Sequence, residues 1–339
     1  MSYRWIAVAA LVVVLALLPK VAPSDYVLTL VDLAGIYAIA VMGLGILLGF
    51  TGQMSLAQAA FFGIGAYTSG WITTHSNLFP GHPGWSVWLG MLLAVAMSAL
   101  IGVIVGYPCL RLSGHYLALA TIGFGIITQL VLINWKDVTN GSDGMTGIPP
   151  PEIGPWTLDS YAKYYYLVLA AVLVCAYVAW RIKTTRPGRA LHAIRENEIA
   201  ARASGIDATR YKVVAFALAG AYAGLAGSLL AHDIKFLSPD SYSFDQSVVF
   251  LVMLILGGSS SIGGAILGAV LLTFLPEVLR PLKTSYIMVY GAAVIAMIVF
   301  MPQGLVGLLA ALRARFQGGS PPPDVAPAGL VGEAEPGTA

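Results

Sequence analysis

The segment Arg181-Ile-Lys-Thr-Thr-Arg-Pro-Gly-Arg-Ala-Leu-His-Ala-Ile-Arg-Glu-Asn-Glu-Ile-Ala-Ala-Arg-Ala-Ser-Gly-Ile-Asp207 separates two long apolar stretches of the chain. Extended to Lys212, this polar segment, which we call the island, holds eight of the eighteen Lys and Arg residues. Short, positively charged loops of membrane proteins stay on the cytoplasmic side. The island therefore predicts the topology of the chain, and it also offers a soluble partner a place to bind.

The rest of the chain is strongly apolar. Hydrophobic residues make up 58% of it and charged residues only 10%, and the mean hydropathy is +0.81. Soluble proteins carry about a quarter charged residues, so this composition predicts an integral membrane protein. Because a spanning helix needs about 20 mainly apolar residues, we expect an all-α, polytopic fold with about eight to ten transmembrane helices, at least one of them broken or Gly-rich. The predicted spans are 5–19, 26–50, 57–74, 84–107, 114–135, 163–181, 213–231, 246–258, 262–279 and 285–301.

The distribution of basic residues predicts the orientation. With the island in the cytoplasm and the spans alternating outward from it, twelve Lys and Arg residues fall on the cytoplasmic side and six on the outer side. This bias agrees with the positive-inside rule and places both termini in the cytoplasm. We expect one transmembrane domain over 1–312, with the island loop at 182–212 inside it, and a cytoplasmic tail at 313–339 whose composition is typical of disorder.

Several of the 38 glycines are spaced four residues apart. Such pairs of small residues let transmembrane helices approach one another closely, and we expect them to mark helix contacts. The pairs are Gly45/Gly49, Gly102/Gly106, Gly220/Gly224 and Gly264/Gly268.

Two stretches interrupt the apolar regions: Thr51-Gly-Gln-Met-Ser-Leu-Ala-Gln58 and Gly257-Gly-Ser-Ser-Ser-Ile-Gly-Gly264. Non-helical backbone at membrane depth occurs only where it is buried in protein or lines a wet cavity, and broken helices of this kind can hold a polar substrate. Each stretch is therefore either part of a substrate pathway or a cytoplasmic turn between ordinary helices. The candidate pathway residues are Thr51, Gly52, Gln53, Ser55 and Gln58.

Ionisable residues inside the predicted spans are few. Asp32, His115 and Glu277 lie near span ends. Asp32 is the best candidate for a mid-membrane carboxylate, but we favour its interpretation as an interfacial carboxylate in contact with water. A charge at the bilayer centre costs at least about 2.5–3.5 kcal/mol on the insertion scale, so carriers keep one only where they need it. The sequence also lacks a Gly-x-x-x-x-Gly-Lys-[Ser/Thr] phosphate loop and a His-Glu-x-x-His metal motif. Energy for uphill transport would therefore have to come from another chain.

The island is predicted to form a helix. Pro187 suits a first helical position and Gly205 suits a C-terminal cap. Between them, Arg195, Glu198 and Arg202 fall at i, i+3 and i+7, which places them on one charged ridge. Such a helix is either a solvated connector with positive-inside charges or an element that fits a cleft of a soluble partner.

The island sequence Gly188-Arg-Ala-Leu-His-Ala-Ile-Arg-Glu-Asn-Glu-Ile-Ala-Ala-Arg-Ala-Ser-Gly-Ile206 resembles the cytoplasmic loop of permease subunits of bacterial ATP-binding cassette (ABC) importers. More narrowly, it is similar to the LivM-like family that serves branched-chain amino acids. The resemblance covers about residues 26–310. Its other parts are Thr51–Tyr67, Arg111–Thr121, Ser238–Phe244, Leu256–Gly268 and Phe300–Leu305.

The resemblance implies a bacterial inner-membrane subunit that pairs with a second, homologous permease, two ATP-binding cassette subunits and a periplasmic solute-binding protein. It also implies that the island docks on the ATPase, because loops in related importers carry a Glu-Ala-Ala…Gly pattern. This chain has Ile199 between the Glu and the first Ala. The implied docking residues are Arg189, Arg195, Glu196, Asn197, Glu198, Ala200, Ala201 and Gly205.

The sequence therefore predicts a permease subunit for branched-chain or other apolar amino acids, with no ATPase site of its own and no metal or cofactor. One alternative changes only the solute, to urea, amides or another small polar molecule. A second alternative is an ion-coupled carrier or channel, which the scarcity of mid-membrane carboxylates disfavours. A third is a membrane-embedded enzyme, which the lack of a catalytic cluster disfavours.

Overall fold

The computed structural model describes residues 13–20, 24–75, 85–109, 115–153, 156–280, 288–289, 291–292, 295 and 304–307. Over these residues the chain is mainly a bundle of helices, which confirms the predicted all-α membrane fold. Six of the described helices are long and apolar enough to cross a bilayer: Asp25–Phe50, Ser86–Cys109, His115–Asn134, Tyr161–Thr184, Ala208–Ile234 and Ile262–Leu279. The predicted spans at 5–19 and 285–301 and the tail at 313–339 lie largely or wholly outside the described residues.

The helices carry the following labels in chain order: α1 (Asp25–Leu44, continued by a π-helical turn over Gly45–Phe50), α2 (Gln58–His75), α3 (Ser86–Cys109), α4 (His115–Asn134), α5 (Lys136–Thr139), α6 (Tyr161–Thr184), α7 (Arg186–Glu196), α8 (Glu198–Ala203), α9 (Ala208–Ile234), α10 (Phe244–Gly257) and α11 (Ile262–Leu279). Two short antiparallel pairs join β1 (Met145–Thr146) to β4 (Phe236–Leu237) and β2 (Glu152–Ile153) to β3 (Trp156–Thr157). Single 3-10 turns lie at Gly141–Asp143 and Pro239–Tyr242.

Helix α9 lies at the centre of the bundle and packs against α1, α2 and α3. Small residues bring α3 and α9 together, since Gly102 and Gly106 lie on Phe216, and Gly220 and Gly224 lie on Ser98. A Cβ atom added at Gly102 would be 2.7 Å from the carbonyl oxygen of Phe216. The glycine pairs of these two helices are therefore helix contacts, as predicted.

The bundle has two polar ends. At the first, which we call the island end, α1 ends and α7 lies against the π-helical turn that continues α1. At the second, the loop end, residues 135–153, residues 156–160 and β4 lie over the ends of α2 and α9. There Trp88 Nε1 donates a hydrogen bond to the Glu152 carbonyl at 2.7 Å, and Lys235 forms a salt bridge with Asp159. Helix α9 joins the two ends with 27 residues, a length of about 40 Å.

The chain between α1 and α2 re-enters the bundle. Residues 52–57 have no regular secondary structure and lead from the island end to the start of α2. At that start, Gln58 Nε2 donates a hydrogen bond to the Ala40 carbonyl at 2.7 Å. Ala40 precedes Phe50 by ten residues, which is about 15 Å at the helical rise of 1.5 Å per residue. Helix α2 therefore begins deep inside the bundle and not at its surface.

The second break, between α10 and α11, has a different position. Lys183 Nζ, at the end of α6, donates a hydrogen bond to the Ser260 carbonyl at 2.7 Å. The backbone of Ser259 lies directly against Gly49, where α1 ends. The turn at 258–261 is thus at the island end, which agrees with the alternative that it joins two ordinary helices.

Candidate functional site: the broken helix and the island

The start of α2 is held by side-chain hydroxyl groups. The backbone N–H of Leu56 donates to Thr121 Oγ1 of α4 at 3.0 Å, and that of Ala59 donates to Ser247 Oγ of α10 at 3.0 Å. The N–H of Ala57 donates to Ser55 Oγ at 3.3 Å. The first N–H groups of a helix have no partner within it, and inside a membrane protein each unpaired one is costly. The three hydroxyls thus pair two N–H groups just before α2 and one in its first turn.

The five candidate pathway residues lie together at this break, and four of them are buried. Thr51, Gln53, Ser55 and Gln58 are 4%, 6%, 2% and 1% exposed, while Gly52 is exposed at the island end. Gln58 Nε2 also lies 3.4 Å from the Ala219 carbonyl of α9. The Oε1 atoms of Gln53 and Gln58 are buried and have no hydrogen-bond partner among the described residues. The break therefore holds two buried oxygen atoms that could accept hydrogen bonds from a donor group.

Asp32 is placed differently from the interpretation based on sequence. Its side chain is 0% exposed, and neither carboxylate oxygen has a hydrogen-bond partner among the described residues. The expectation of an interfacial carboxylate in contact with water was therefore wrong. Sequence position alone could not reveal this, because the packing of α6 and α9 against α1 encloses a residue only two turns into its helix.

A buried polar network at the loop end was missed by the sequence analysis. Ser228 Oγ donates to Ser69 Oγ at 2.8 Å, Ser69 Oγ lies 2.8 Å from His232 Nε2, and His232 Nδ1 lies 2.8 Å from the Pro149 carbonyl. Because a carbonyl can only accept, Nδ1 carries the proton and Nε2 of a neutral ring accepts from Ser69. The network ties residue 149 of the loop end to α2 and α9. A His near the end of an apolar helix was the available signal.

The island forms two helices and not the single one predicted. Asn197 has extended backbone (φ −158°, ψ 106°) and separates α7 from α8, and its side chain accepts a hydrogen bond from the Ala200 N–H. Arg195 therefore belongs to a different helix from Glu198 and Arg202, so the predicted continuous ridge is wrong. Pro187 does lie in the first turn of α7. Gly205 follows α8 in the left-handed conformation (φ +84°) that favours glycine.

Glu198 is a bridging residue within the island. It accepts hydrogen bonds from Arg202 Nη2 at 2.8 Å and from Lys212 Nζ at 2.6 Å. Partial burial acts to raise the pKa of Glu198, but the hydrogen bonds from Lys212 and Arg202 outweigh it and hold the pKa below its usual value. The neighbouring Ile199 is 82% exposed, the largest exposed fraction among the described large apolar side chains.

The remaining residues of the implied docking set divide by exposure. Ala201 is 4% exposed and packs with Ile194 and Ala208 inside the island, and Arg195 is half-buried. The exposed members are Arg189, Glu196, Asn197, Ala200 and Gly205.

The island and the broken helix are in direct contact. Arg195 Nη1 donates a hydrogen bond to the Gly49 carbonyl, in the last turn of the π-helical segment. The ring of His192 packs on that of Phe50, with centroids 5.2 Å apart. Burial lowers the pKa of His192, and the nearby cations Lys183 and Arg195 lower it further. His192 therefore packs on Phe50 in surroundings that favour the neutral form of its ring.

Comparison with known proteins identifies the family. A family model described as the permease component of branched-chain amino acid transport systems matches residues 26–303. The chain belongs to this family.

Several curated relatives are similar to this permease. The high-affinity branched-chain amino acid transport system permease protein LivM of Salmonella typhimurium is 34% identical over 295 residues, which cover 80% of this chain and 67% of the relative. LivM of Escherichia coli is 33% identical over the same shares. The permease protein LivH of Escherichia coli is 27% identical over 296 residues, 82% of this chain and 93% of LivH. No solved structure matches the chain.

Membership of this family establishes the kind of activity to which the chain contributes. This permease is a transmembrane subunit of an ABC importer and not itself a catalyst, so the membrane-enzyme alternative is set aside. Its described residues provide a helix that begins inside the bundle, buried acceptors at that start, and a polar island that contacts the same break. Such an arrangement can bind and pass a solute without covalent chemistry.

Proposed function

We propose that this permease conducts branched-chain or other apolar amino acids through the inner membrane of a bacterium. It does so in an assembly with a second homologous permease, two ATP-binding cassette subunits and an extracytoplasmic solute-binding protein. The observation that carries the proposal is the similarity to LivM over 80% of this chain. Similarity to LivH as well supports a pairing of two related permeases.

The proposed pathway includes the break between α1 and α2. Thr51, Gly52, Gln53, Ser55 and Gln58 line it when the break opens. The polar side chains of all but Gly52 are buried in the bundle, and two glutamine oxygens are without a described partner. The hydroxyl-held start of α2 supports this role, because hydrogen bonds to side chains can be exchanged without unfolding a helix.

The proposed ATPase-docking surface is the exposed side of α7 and α8. It consists of the exposed members of the docking set, with Glu198 at its centre and Ile199 as an apolar contact that sequence reasoning treated only as an interruption. Arg195 is not part of this surface, because it faces the bundle. The excess of basic residues on the island side supports a cytoplasmic island and cytoplasmic termini.

Reconstitution tests this function. The complete complex in liposomes should take up leucine with ATP, and an excess of isoleucine or valine should compete where urea and acetamide do not. The permease alone should accumulate no amino acid with a proton or a sodium gradient. Competition by urea would favour the alternative solute class, and gradient-driven uptake by the lone chain would favour an ion-coupled carrier.

A second experiment tests the docking surface. Ile199→Asp places a charge where a partner would cover it, and a charge desolvated without a partner costs several kcal/mol of binding, about 2–5. The exposed position predicts normal insertion and expression with loss of ATPase co-purification, whereas Ile199→Val should behave like the parent. Ile199 is a sharper probe than Glu198, because Glu198→Arg would also break the two island salt bridges.

A further inference from the structure

At the C-terminal end of α1, the Gly49 carbonyl accepts a hydrogen bond from a side chain of the island. In the π-helical turn, the Leu48 carbonyl accepts from the Gly52 N–H at 3.0 Å, and the Leu47 carbonyl accepts from the Gln53 N–H at 3.4 Å. The Gly49 carbonyl instead accepts from the guanidinium of Arg195. A cation at a helix C-terminus meets the negative end of the helix dipole, and a hydrogen bond from an ionised donor is about twice as strong as a neutral one.

The first residue of the break is fitted to the same side chain. Gly52 has φ +71°, and a Cβ atom there would lie 3.2 Å from Arg195 Cγ. The break thus begins in a left-handed glycine whose backbone rests on the aliphatic part of Arg195. Single π-helical turns inside α-helices are frequent at functional sites, and here the π-helical turn ends where Arg195 binds.

Two further island contacts lie at the same level of the bundle. His192 packs on Phe50, and Lys183 Nζ lies 5.8 Å from the centre of the Phe50 ring. Lys183 also donates to the Ser260 carbonyl of the turn between α10 and α11. His192 and Lys183 thus join the island to Phe50 and to the turn at 258–261, which lie beside the break. Arg195 instead binds the Gly49 carbonyl, at the helix end from which the break starts.

We propose that Arg195 is a positioning residue that couples movement of the island to opening of the break at 51–58. The inference rests on the proposed function, in which the ATPase moves the island. When α7 is displaced, Arg195 leaves the Gly49 carbonyl without its donor and Gly52 without its support, so the turn that holds Gln53 and Ser55 in the bundle is released. When α7 returns, the bond forms again and the break closes.

The experiment compares four complete complexes: parent, Arg195→Ala, Arg195→Lys and Arg186→Ala. Arg186 is an exposed cation of the same helix and serves as the matched control. All four should co-purify with the ATPase and show the same solute-independent ATPase rate. Arg195→Ala should lose about tenfold in ATP-driven leucine uptake and in stimulation of the ATPase by the loaded binding protein, as expected for one lost hydrogen bond to a charged group. Arg195→Lys should recover part of both, because an ammonium can still donate to the carbonyl.

An independent variant approaches the contact from the other side. Gly52→Ala adds a Cβ against Arg195 and strains the left-handed backbone. It should therefore lower leucine uptake and stimulation of the ATPase by the loaded binding protein, as Arg195→Ala does, while co-purification with the ATPase stays intact. This variant also carries the test if Arg195→Ala does not accumulate in the membrane.

Three results would overturn the proposal. Uptake at the parental rate in Arg195→Ala would show that this contact does not couple the island to the break. An equal loss of uptake in Arg186→Ala would show a general effect of removing a positive charge from the island. Loss of ATPase co-purification in Arg195→Ala alone would return Arg195 to the docking surface. Failure of the parental complex to assemble would instead reject the proposed function, and it would be seen before any variant is made.

Discussion

Replacement of Gln53 by Leu separates a pathway role from a structural one, because the two roles predict different combinations of stability and transport. The Gln53 side chain is 6% exposed and its Oε1 atom has no hydrogen-bond partner among the described residues. A buried polar atom without a partner costs about 1–3 kcal/mol, and Leu has a similar volume. Gln53→Leu should therefore raise the free energy of unfolding by about 1–3 kcal/mol and, if Gln53 lines the pathway, reduce transport.

Ser55→Ala is the matched comparison from the same break. Ser55 Oγ accepts a hydrogen bond from the Ala57 N–H at 3.3 Å, and its loss leaves a buried N–H without a partner, which costs about 1–2 kcal/mol. Stability should thus fall in Ser55→Ala and rise in Gln53→Leu.

The assay for both variants is unfolding of the purified complex in detergent, combined with leucine uptake in liposomes. Parental uptake in a stabilised Gln53→Leu complex would reject the pathway role and leave 51–58 as a structural turn. A less stable Gln53→Leu complex would refute the argument from the unpaired oxygen itself.

Three further predictions follow from the packing, the island and the topology. Gly102→Ala should destabilise the bundle by about 1–2 kcal/mol through overpacking of α3 on α9, whereas Gly123→Ala, which meets nothing within 4 Å, should be neutral or stabilising in the same unfolding assay. Because the pKa of Glu198 is lowered in the folded chain, its salt bridges contribute stability above the unfolded pKa of about 4.3 and lose it as pH falls through the lower folded value. Glu198→Gln should thus cost about 0.5–1 kcal/mol at pH 7 and nothing once the carboxyl is protonated, as a pH series of unfolding would measure. Single cysteines at the exposed positions Arg189 and Asp143 in a Cys-free background should label from opposite sides of the membrane, and labelling from the same side would contradict the orientation.

Hydropathy and glycine spacing were sufficient to predict most of the described bundle. The spans around α1, α3, α4, α6, α9 and α11 agree with the sequence-based ones to within a few residues, because long apolar runs have few other solutions in a bilayer. The small-residue pairs predicted close helix contacts but not which helices meet. The structure brings Gly102/Gly106 and Gly220/Gly224 together in the α3–α9 contact.

The depth of the break and the geometry of the island could not be predicted in the same way. The polar run at 51–58 is compatible with a surface turn or a re-entrant segment, and the difference depends on Thr121 and Ser247, which are distant in sequence. Glu198 and Lys212 are 14 residues apart on different helices, so helical spacing could not pair them. The extended backbone of Asn197 likewise divides a segment whose composition suited one helix.

The uninterrupted length of α9 has a consequence for the lipid environment of this permease. Helix α9 is about 40 Å long, against a hydrocarbon core of about 30 Å, and Asp207 caps its start while Lys235 ends it in a left-handed turn. A helix longer than the local hydrocarbon thickness can respond by tilting. The backbone of α2 lies directly against α9, at Gly65 on Gly224 and at Phe62 on Gly227, so the two helices should tilt together. A change in acyl-chain length should therefore move the start of α2 and the break before it, and we expect transport to have an optimum bilayer thickness.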